Sequence, residues 1–325
     1  MNDHAVKFIF LGVVVVAILF SRALYPFSSD AAPQNGSLAA QTGTVIGTPR
    51  FVFPQTSVSA DGAPSPAPAP ASASAPTSKP ENAPSSPTLA DTATLVMDLK
   101  TGAVVASANA DRRWPTASLA KLMSATVVLD KIDLNTQITI TDQMFAADPA
   151  EANLFVDGRY QAIDLLHAML LPSSNVAAEA VATFYGRDAF IAEMNARAAA
   201  WGMADTHYDD PSGISAGDES TALDLAKLAA QVYARYPQIL SISRTPQFPI
   251  TNYTTGAVGT LHSINNFAGQ ADFIGGKTGH TEEADGNLLS IFRDGDHPIL
   301  VIVLGSANRF GDTQTLYNWY KANQE

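Results

Sequence analysis

The stretch WPTASLAKLMSATVVLD, residues 114–130, carries the only Ser-x-x-Lys of the chain, Ser118-Leu119-Ala120-Lys121. Pro and Thr ahead of a run of helix formers predict a helix over about 118–129, and the three-residue spacing sets Ser118 and Lys121 on one face of it. A serine hydroxyl needs a base to become a nucleophile. A lysine amine serves when burial, a second nearby cation and the positive end of a helix lower its pKa. The same helix end offers the Ser118 backbone N–H to a developing oxyanion. Taken alone, the pair is also the ordinary start of a helix with a solvated lysine. Leu119, Leu122, Met123, Val127 and Val128, however, make this helix largely apolar, which puts Lys121 in the interior. A lysine so placed has its pKa readily shifted and is more often functional than not.

Outward from this helix, strands and helices segregate along the chain. Residues 93–98 (ATLVMD) and 103–108 (AVVASA) read as two edge-type strands joined by a turn at Leu99-Lys100-Thr101-Gly102. Helices are expected near 163–170, 175–184, 189–201 and 222–236, strands at 273–278, 287–293 and 299–305, and a closing helix at 313–321. Strands at both ends of a helical middle predict an α+β fold whose terminal segments share one antiparallel sheet.

The composition bounds the chemistry. The 325 residues include no Cys, which excludes a disulfide frame, a Cys nucleophile, a thiolate zinc site and an acylated lipoprotein Cys. With 19 Lys+Arg against 31 Asp+Glu, a net charge of -12 and no basic block, nucleic acid is not an expected partner. Residues 8–20 (FIFLGVVVVAILF) are apolar or Gly between Lys7 and Arg22, so 1–27 reads as a membrane anchor, with a cleaved signal peptide as the alternative. Residues 28–88 read as a linker. From Ala63 to Pro87, 21 of 25 positions are Pro, Ala or Ser, the composition of an extended spacer with no apolar mass to bury. Residues 89–325 are the expected catalytic domain.

Two further triplets recur, and their order separates the informative copies from the decoys. Ser-x-Asn occurs at Ser107, Ser173, Ser263 and Ser306, and Lys-Thr-Gly at Lys100 and Lys277. Lys100-Thr101-Gly102 reads as the turn of the opening hairpin. Ser173-Ser174-Asn175 lies between helix-like segments, and Lys277-Thr278-Gly279 ends a strand-like run.

In this order, Ser118-x-x-Lys121, Ser173-x-Asn175 and Lys277-Thr278-Gly279 resemble the three active-site motifs of serine penicillin-binding proteins and β-lactamases. LLPSSNVAAEAVA, YDDPSGIS and GGKTGHTEEADGNLL resemble, within that group, the small D-alanyl-D-alanine carboxypeptidases and endopeptidases, over about residues 90 to 323. The resemblance implies a five-stranded antiparallel sheet with flanking helices and a helical subdomain. It also implies an acyl-enzyme mechanism on peptidoglycan stem peptides, and β-lactam antibiotics as covalent inhibitors. By the same resemblance, Ser118 is acylated, Lys121 takes its proton, and Ser173 relays the proton to the leaving amine. Asn175 binds a substrate amide and contacts Lys121, Lys277 and Thr278 face the substrate carboxylate, Gly279 lets substrate approach, and the His280 N–H is the second oxyanion donor. The His280 side chain reads equally well as a strand-end residue. The β-rich C-terminal domain of larger members is not expected, since about 46 residues follow Gly279.

One feature departs from the family: Leu261 to Gly276 contains no Lys or Arg, only His262, where some family carboxypeptidases have a basic residue. A carboxypeptidase is nevertheless expected, because the Ser-x-Asn and Lys-Thr-Gly-His-Thr stretches resemble those members, with a cross-link endopeptidase, which the Ser-Ser-Asn triplet resembles, as the alternative. A β-lactamase is disfavoured because Glu151-Ala152-Asn153-Leu154 precedes Ser173 and lacks the Glu-x-x-Leu-Asn pattern. A metallohydrolase built on His207, Asp209 and Asp210 lacks a His pair at ligand spacing, so no metal or cofactor is expected. A penicillin-sensing ectodomain lacks a signalling domain. The expected location is the cell membrane with the catalytic domain on the extracytoplasmic side, or secretion if residues 1–27 are cleaved.

Overall fold

The computed structural model describes residues 92–146 and 154–323, with Pro87 and Leu89. The proposed anchor and nearly all of the linker lie outside the described residues. Strands β1 (Ala93–Asp98) and β2 (Ala103–Ala108) form the expected hairpin. After the two-residue strand β3 (Trp114–Pro115) and one 3-10 turn (Ala117–Leu119) comes helix α1 (Ala120–Lys131). Short strands β4 (Gln137–Thr139) and β5 (Arg159–Gln161) pair with each other ahead of α2 (Ala162–Leu170), α3 (Asn175–Tyr185) and α4 (Arg187–Ala200). Strand β6 (Glu219–Ser220) pairs with β3, and α5 (Ala222–Arg235) and α6 (Pro237–Ser243) follow. The hairpin β7 (Gln247–Thr251) and β8 (Val258–His262) leads into β9 (Phe273–Thr281), β10 (Asp285–Asp294) and β11 (His297–Leu304), and α7 (Arg309–Ala322) closes the chain.

The main sheet runs β2-β1-β11-β10-β9 and is antiparallel throughout. The first and last parts of the chain thus share one sheet, as expected. One expectation fails: β1 is no edge strand. It is buried along its whole length between β2 and β11, and of the two hairpin strands only β2 lies at a sheet margin. Alternation explains the burial. Leu95 and Met97 of β1, Leu289 and Ile291 of β10, and Leu300, Ile302 and Leu304 of β11 pack toward the helical middle. Val96, Leu288, Phe292, Ile299, Val301 and Val303 pack on the other face with Leu316, Tyr317 and Tyr320 of α7. A strand buried on both faces reads as a continuous apolar run, as β11 (HPILVIVL) does.

Helix α1 sits inside the helical subdomain, buried from Ala120 to Val128. At roughly 1.5–3 kcal/mol for each fully buried large aliphatic side chain, Leu122, Met123, Val127 and Val128 hold it as the pillar of the site. α6 and the β7–β8 hairpin have no counterpart in the sequence reading. Pro249 interrupts the strand pattern of β7, and Pro237 starts a new helix where a single one was expected to end.

Candidate active site

Three segments from distant parts of the chain meet at the start of α1. Ser118 lies in the 3-10 turn just ahead of that helix rather than in the helix itself. Ala117, immediately before it, has φ +46°, a left-handed conformation that costs a residue with a Cβ about 1–3 kcal/mol and persists only when its surroundings impose it. Here they do. Thr116 N–H donates to the Asp218 carbonyl at 2.7 Å, and Asn287 Nδ2 on β10 donates to the carbonyls of Pro115 (2.8 Å) and Thr116 (3.1 Å). Gly213 presses against Ala117 so closely that a Cβ there would overlap the Ala117 carbonyl oxygen.

The amine of Lys121 is wholly buried and donates to Ser118 Oγ (2.9 Å), Asn175 Oδ1 (2.6 Å) and the Ser212 carbonyl (2.8 Å). Asn175 Oδ1 and the Ser212 carbonyl can only accept, whereas Ser118 Oγ can also donate. A neutral amine therefore keeps its two hydrogens on the first two partners and turns its lone pair to the Ser118 hydroxyl. That is the arrangement for withdrawing the Ser118 proton. Asn175 is in place because Ser174 caps α3, its Oγ accepting from Ala177 N–H at 3.0 Å.

On the opposite wall, Lys277 projects from β9 and is 1% exposed. Its Nζ donates to Ser173 Oγ at 2.7 Å and to the Thr278 carbonyl at 2.9 Å. Ser173 has φ +69°, the second left-handed non-Gly residue of the site. Gly279 brings β9 against the Ser118 turn: a Cβ there would lie 3.1 Å from Thr116 O and 3.2 Å from Ser118 N. The exposed His280 ring sits 3.0 Å from the Asp285 carbonyl through Nδ1, so its side chain belongs to the β9–β10 turn.

All eight residues singled out from the sequence gather around the start of α1, on the Ser118 turn, the Ser173 segment and β9, whereas two of the decoy triplets serve other parts of the fold. Lys100-Thr101-Gly102 is the β1–β2 turn, with Gly102 at φ +75°. Ser306-Ala307-Asn308 precedes α7, where Asn308 is the N-cap. Sequence reasoning missed the Ser212 carbonyl, Asn287 and the organising part played by Asp210. Asp210 Oδ1 accepts from Ser212 N–H (2.6 Å), Ser212 Oγ (2.7 Å) and Gly213 N–H (2.8 Å), and its Oδ2 from Ser215 N–H (2.6 Å). Burial works to raise its pKa, but these hydrogen bonds outweigh burial and hold it below the usual carboxylate range. The signal was present in Asp210-Pro211-Ser212-Gly213, since an Asp that bonds the backbone two residues on makes an Asx turn. Among the described residues no group of three or more His, Asp or Glu is arranged to hold a metal ion.

The fold recurs in the crystal structure of the Streptomyces K15 DD-transpeptidase, with a TM-score of 0.67 at 28% identity over 73% of this chain and 99% of that one. The sheet and its helical subdomain are thus those of the penicillin-binding D,D-peptidases. Residues 80–308 match the D-alanyl-D-alanine carboxypeptidase family, and the chain belongs to that family. Among its relatives, a D-alanyl-D-alanine endopeptidase of Pseudomonas aeruginosa is 35% identical over 247 residues, covering 73% of this chain and 79% of the relative. A D-alanyl-D-alanine carboxypeptidase of Mycobacterium tuberculosis is 33% identical over 240 residues, covering 69% and 80%.

Proposed function

We propose that this protein is a serine D-alanyl-D-alanine carboxypeptidase that removes the terminal D-Ala of peptidoglycan stem peptides through an ester on Ser118. The observation that carries the reading is the buried Lys121 amine, which lies 2.9 Å from Ser118 Oγ and is also held by Asn175 Oδ1 and the Ser212 carbonyl. Lys121 withdraws the hydroxyl proton as Ser118 Oγ attacks the carbonyl carbon of the penultimate D-Ala. The backbone N–H groups of Ser118 and His280 receive the oxyanion. Collapse breaks the C–N bond, and the proton passes from Lys121 through Ser173 to the departing amine. Water then hydrolyses the ester with the same base. Asn175 holds a substrate amide, Lys277 and Thr278 receive the terminal carboxylate, and Gly279 leaves room for substrate alongside β9.

A second reading, cleavage of D,D cross-links, is favoured by the name of the Pseudomonas relative. It uses the same acyl-enzyme with a larger leaving group. β-Lactams acylate Ser118 in either case. Residues 1–27 tether the protein to the cell membrane with the catalytic domain on the extracytoplasmic side, where residues 28–88 space it from the bilayer. If 1–27 is cleaved instead, the protein is secreted.

Intact-mass spectrometry after incubation with a penicillin tests the nucleophile. The wild type gains one adduct and Ser118→Ala none, while an adduct on Ser118→Ala removes the assignment. Lys121→Arg keeps the charge but does not deprotonate near neutral pH, so acylation falls by roughly 10²-fold or more. Digestion of purified sacculi separates the two reactions, because free D-Ala marks the carboxypeptidase and loss of dimeric muropeptides without it marks the endopeptidase.

A further inference from the structure

The loop from Asp205 to Thr221 contains a second carboxyl group that the mechanism above does not use. Asp218 is wholly buried and is linked, through Thr116 and through Asp210, to both halves of the catalytic pair. Its backbone carbonyl accepts from Thr116 N–H at 2.7 Å, two residues ahead of the nucleophile. Its Oδ1 accepts from the N–H groups of Asp209 (2.6 Å) and Asp210 (3.1 Å). Asp210 in turn folds the segment whose Ser212 carbonyl takes a hydrogen bond from Lys121. A displacement of Asp218 therefore moves the Ser118 turn and the Lys121 acceptor together.

We propose that Asp218 is a positioning residue for the Ser118–Lys121 pair, and that it acts as a neutral carboxylic acid. The inference rests on the acyl-enzyme reading and deepens it. The two carboxyl groups of the loop are provided for unequally. Asp210 collects four donors over both oxygens. Asp218 has donors on Oδ1 alone, and its buried Oδ2 has no hydrogen-bond partner. An anion at Asp218 would be desolvated and half-satisfied next to a second anion, whereas a neutral acid leaves one uncharged hydroxyl without a partner, which costs far less than a buried unpaired charge.

The groups facing Asp218 do not offset such a charge. Asp209 and Asp210 lie on its own loop, with Asp209 paired to His207 at 2.8 Å, and Tyr208 feels both Asp218 and Asp224. Arg187, at the start of α4, feels Asp210 but places its guanidinium on Glu179 at 3.0 Å. Lys121 reaches the loop from α1 through the Ser212 carbonyl, and β3, which pairs with β6, adds only Trp114 and Pro115. Burial first, and the charge of Asp210 next, push the Asp218 carboxyl up to about 8. Above that pH, ionised Asp218 repels Asp210 and loosens the loop that holds Ser212.

The test follows the second-order rate of benzylpenicillin acylation at Ser118 in the full-length protein between pH 6.5 and 10. A general-base mechanism rises with pH and then meets an alkaline limb. In the wild type that limb should begin near pH 8 and fall about tenfold per pH unit, as for loss of one essential proton. Asp218→Asn stays neutral and keeps an acceptor for the Asp209 and Asp210 N–H groups. It should acylate within about threefold of wild type at pH 7, with its alkaline limb at least one pH unit higher. Asp218→Leu removes the acceptor and should lose about tenfold or more at pH 7. A purely structural role would lower the rate equally at every pH. An identical limb in wild type and Asp218→Asn, or a wild type without a limb near pH 8, overturns the proposal, and this comparison stands even if Asp218→Leu does not fold. A wild type that forms no Ser118 adduct at any pH defeats instead the acyl-enzyme reading beneath it.

Discussion

The chain spells Lys-Thr-Gly twice, and the fold uses the two copies in opposite ways. At residues 100–102 the triplet turns the β1–β2 hairpin. Asp98 Oδ1 accepts from Lys100 N–H at 2.8 Å, Gly102 takes its positive φ in open space, and Lys100 reaches Asp296 in solvent with about half its side chain exposed. At residues 277–279 the triplet lies in a strand against the Ser118 turn, with the amine buried on Ser173. Three identical residues thus make a water-screened ion pair in one place and a buried cation facing a serine in the other. Desolvation and neighbours, not residue type, decide what a lysine can do.

The sharpest way to break this contrast is to remove each amine in turn. Lys277→Ala should lower Ser118 acylation by about 10²- to 10³-fold, the size of loss seen when one preorganised charge or donor is removed from an acyl-transfer site. Lys100→Ala should leave the acylation rate and the melting temperature nearly unchanged, since exposed ion pairs contribute little. Comparable losses from both would show that Lys277 is not specially placed.

The glycines form a second pair. Gly279→Ala places a methyl group 3.1 Å from the Ala117 Cβ and 3.2 Å from Ser118 N, so the Ser118 turn must shift. Acylation should fall about tenfold or more while the melting temperature drops modestly. Gly102→Ala meets no neighbour but keeps φ +75°, so it should cost roughly 1 kcal/mol of stability and nothing in acylation.

The smallest effect concerns the foundation of the hairpin. Asp98 Oδ2 is 2.7 Å from His297 Nδ1. Burial opposes ionisation of Asp98, but the His297 bond and the turn N–H groups outweigh it and lower its pKa from 3.8. A depressed carboxylate contributes stability above its unfolded value and loses it as pH falls through the folded value. Wild type should therefore lose stability below about pH 4 more steeply than Asp98→Asn, in urea melts at pH 7 and pH 3. Parallel losses would show that Asp98 is not held ionised by its partners.

How far the sequence can be read depends on the range of each interaction. The hairpin Ala93–Ala108 was legible to the residue because alternation and a Gly turn are local. The helix carrying Lys121 was legible because its apolar run is continuous. The three motifs were recognisable by order alone, since each places its functional groups within three residues of one another. β1 was misjudged as an edge because its neighbour β11 lies some 200 residues away, and a six-residue run does not record how many partners it will have.

By itself, then, the sequence determined the three motifs, the strands at both ends of a helical middle and the burial of Lys121, all of which follow from residue type and short-range pattern. The tertiary structure alone decided what those side chains hold. That Lys277 rests on Ser173, that Asn287 clamps Pro115 and Thr116, and that Ser212 and Asp218 serve the site through their backbone carbonyls are contacts between segments roughly 90 to 170 residues apart. A carbonyl group belongs to every residue and leaves no mark in the sequence; only the folded chain selects which one becomes the acceptor.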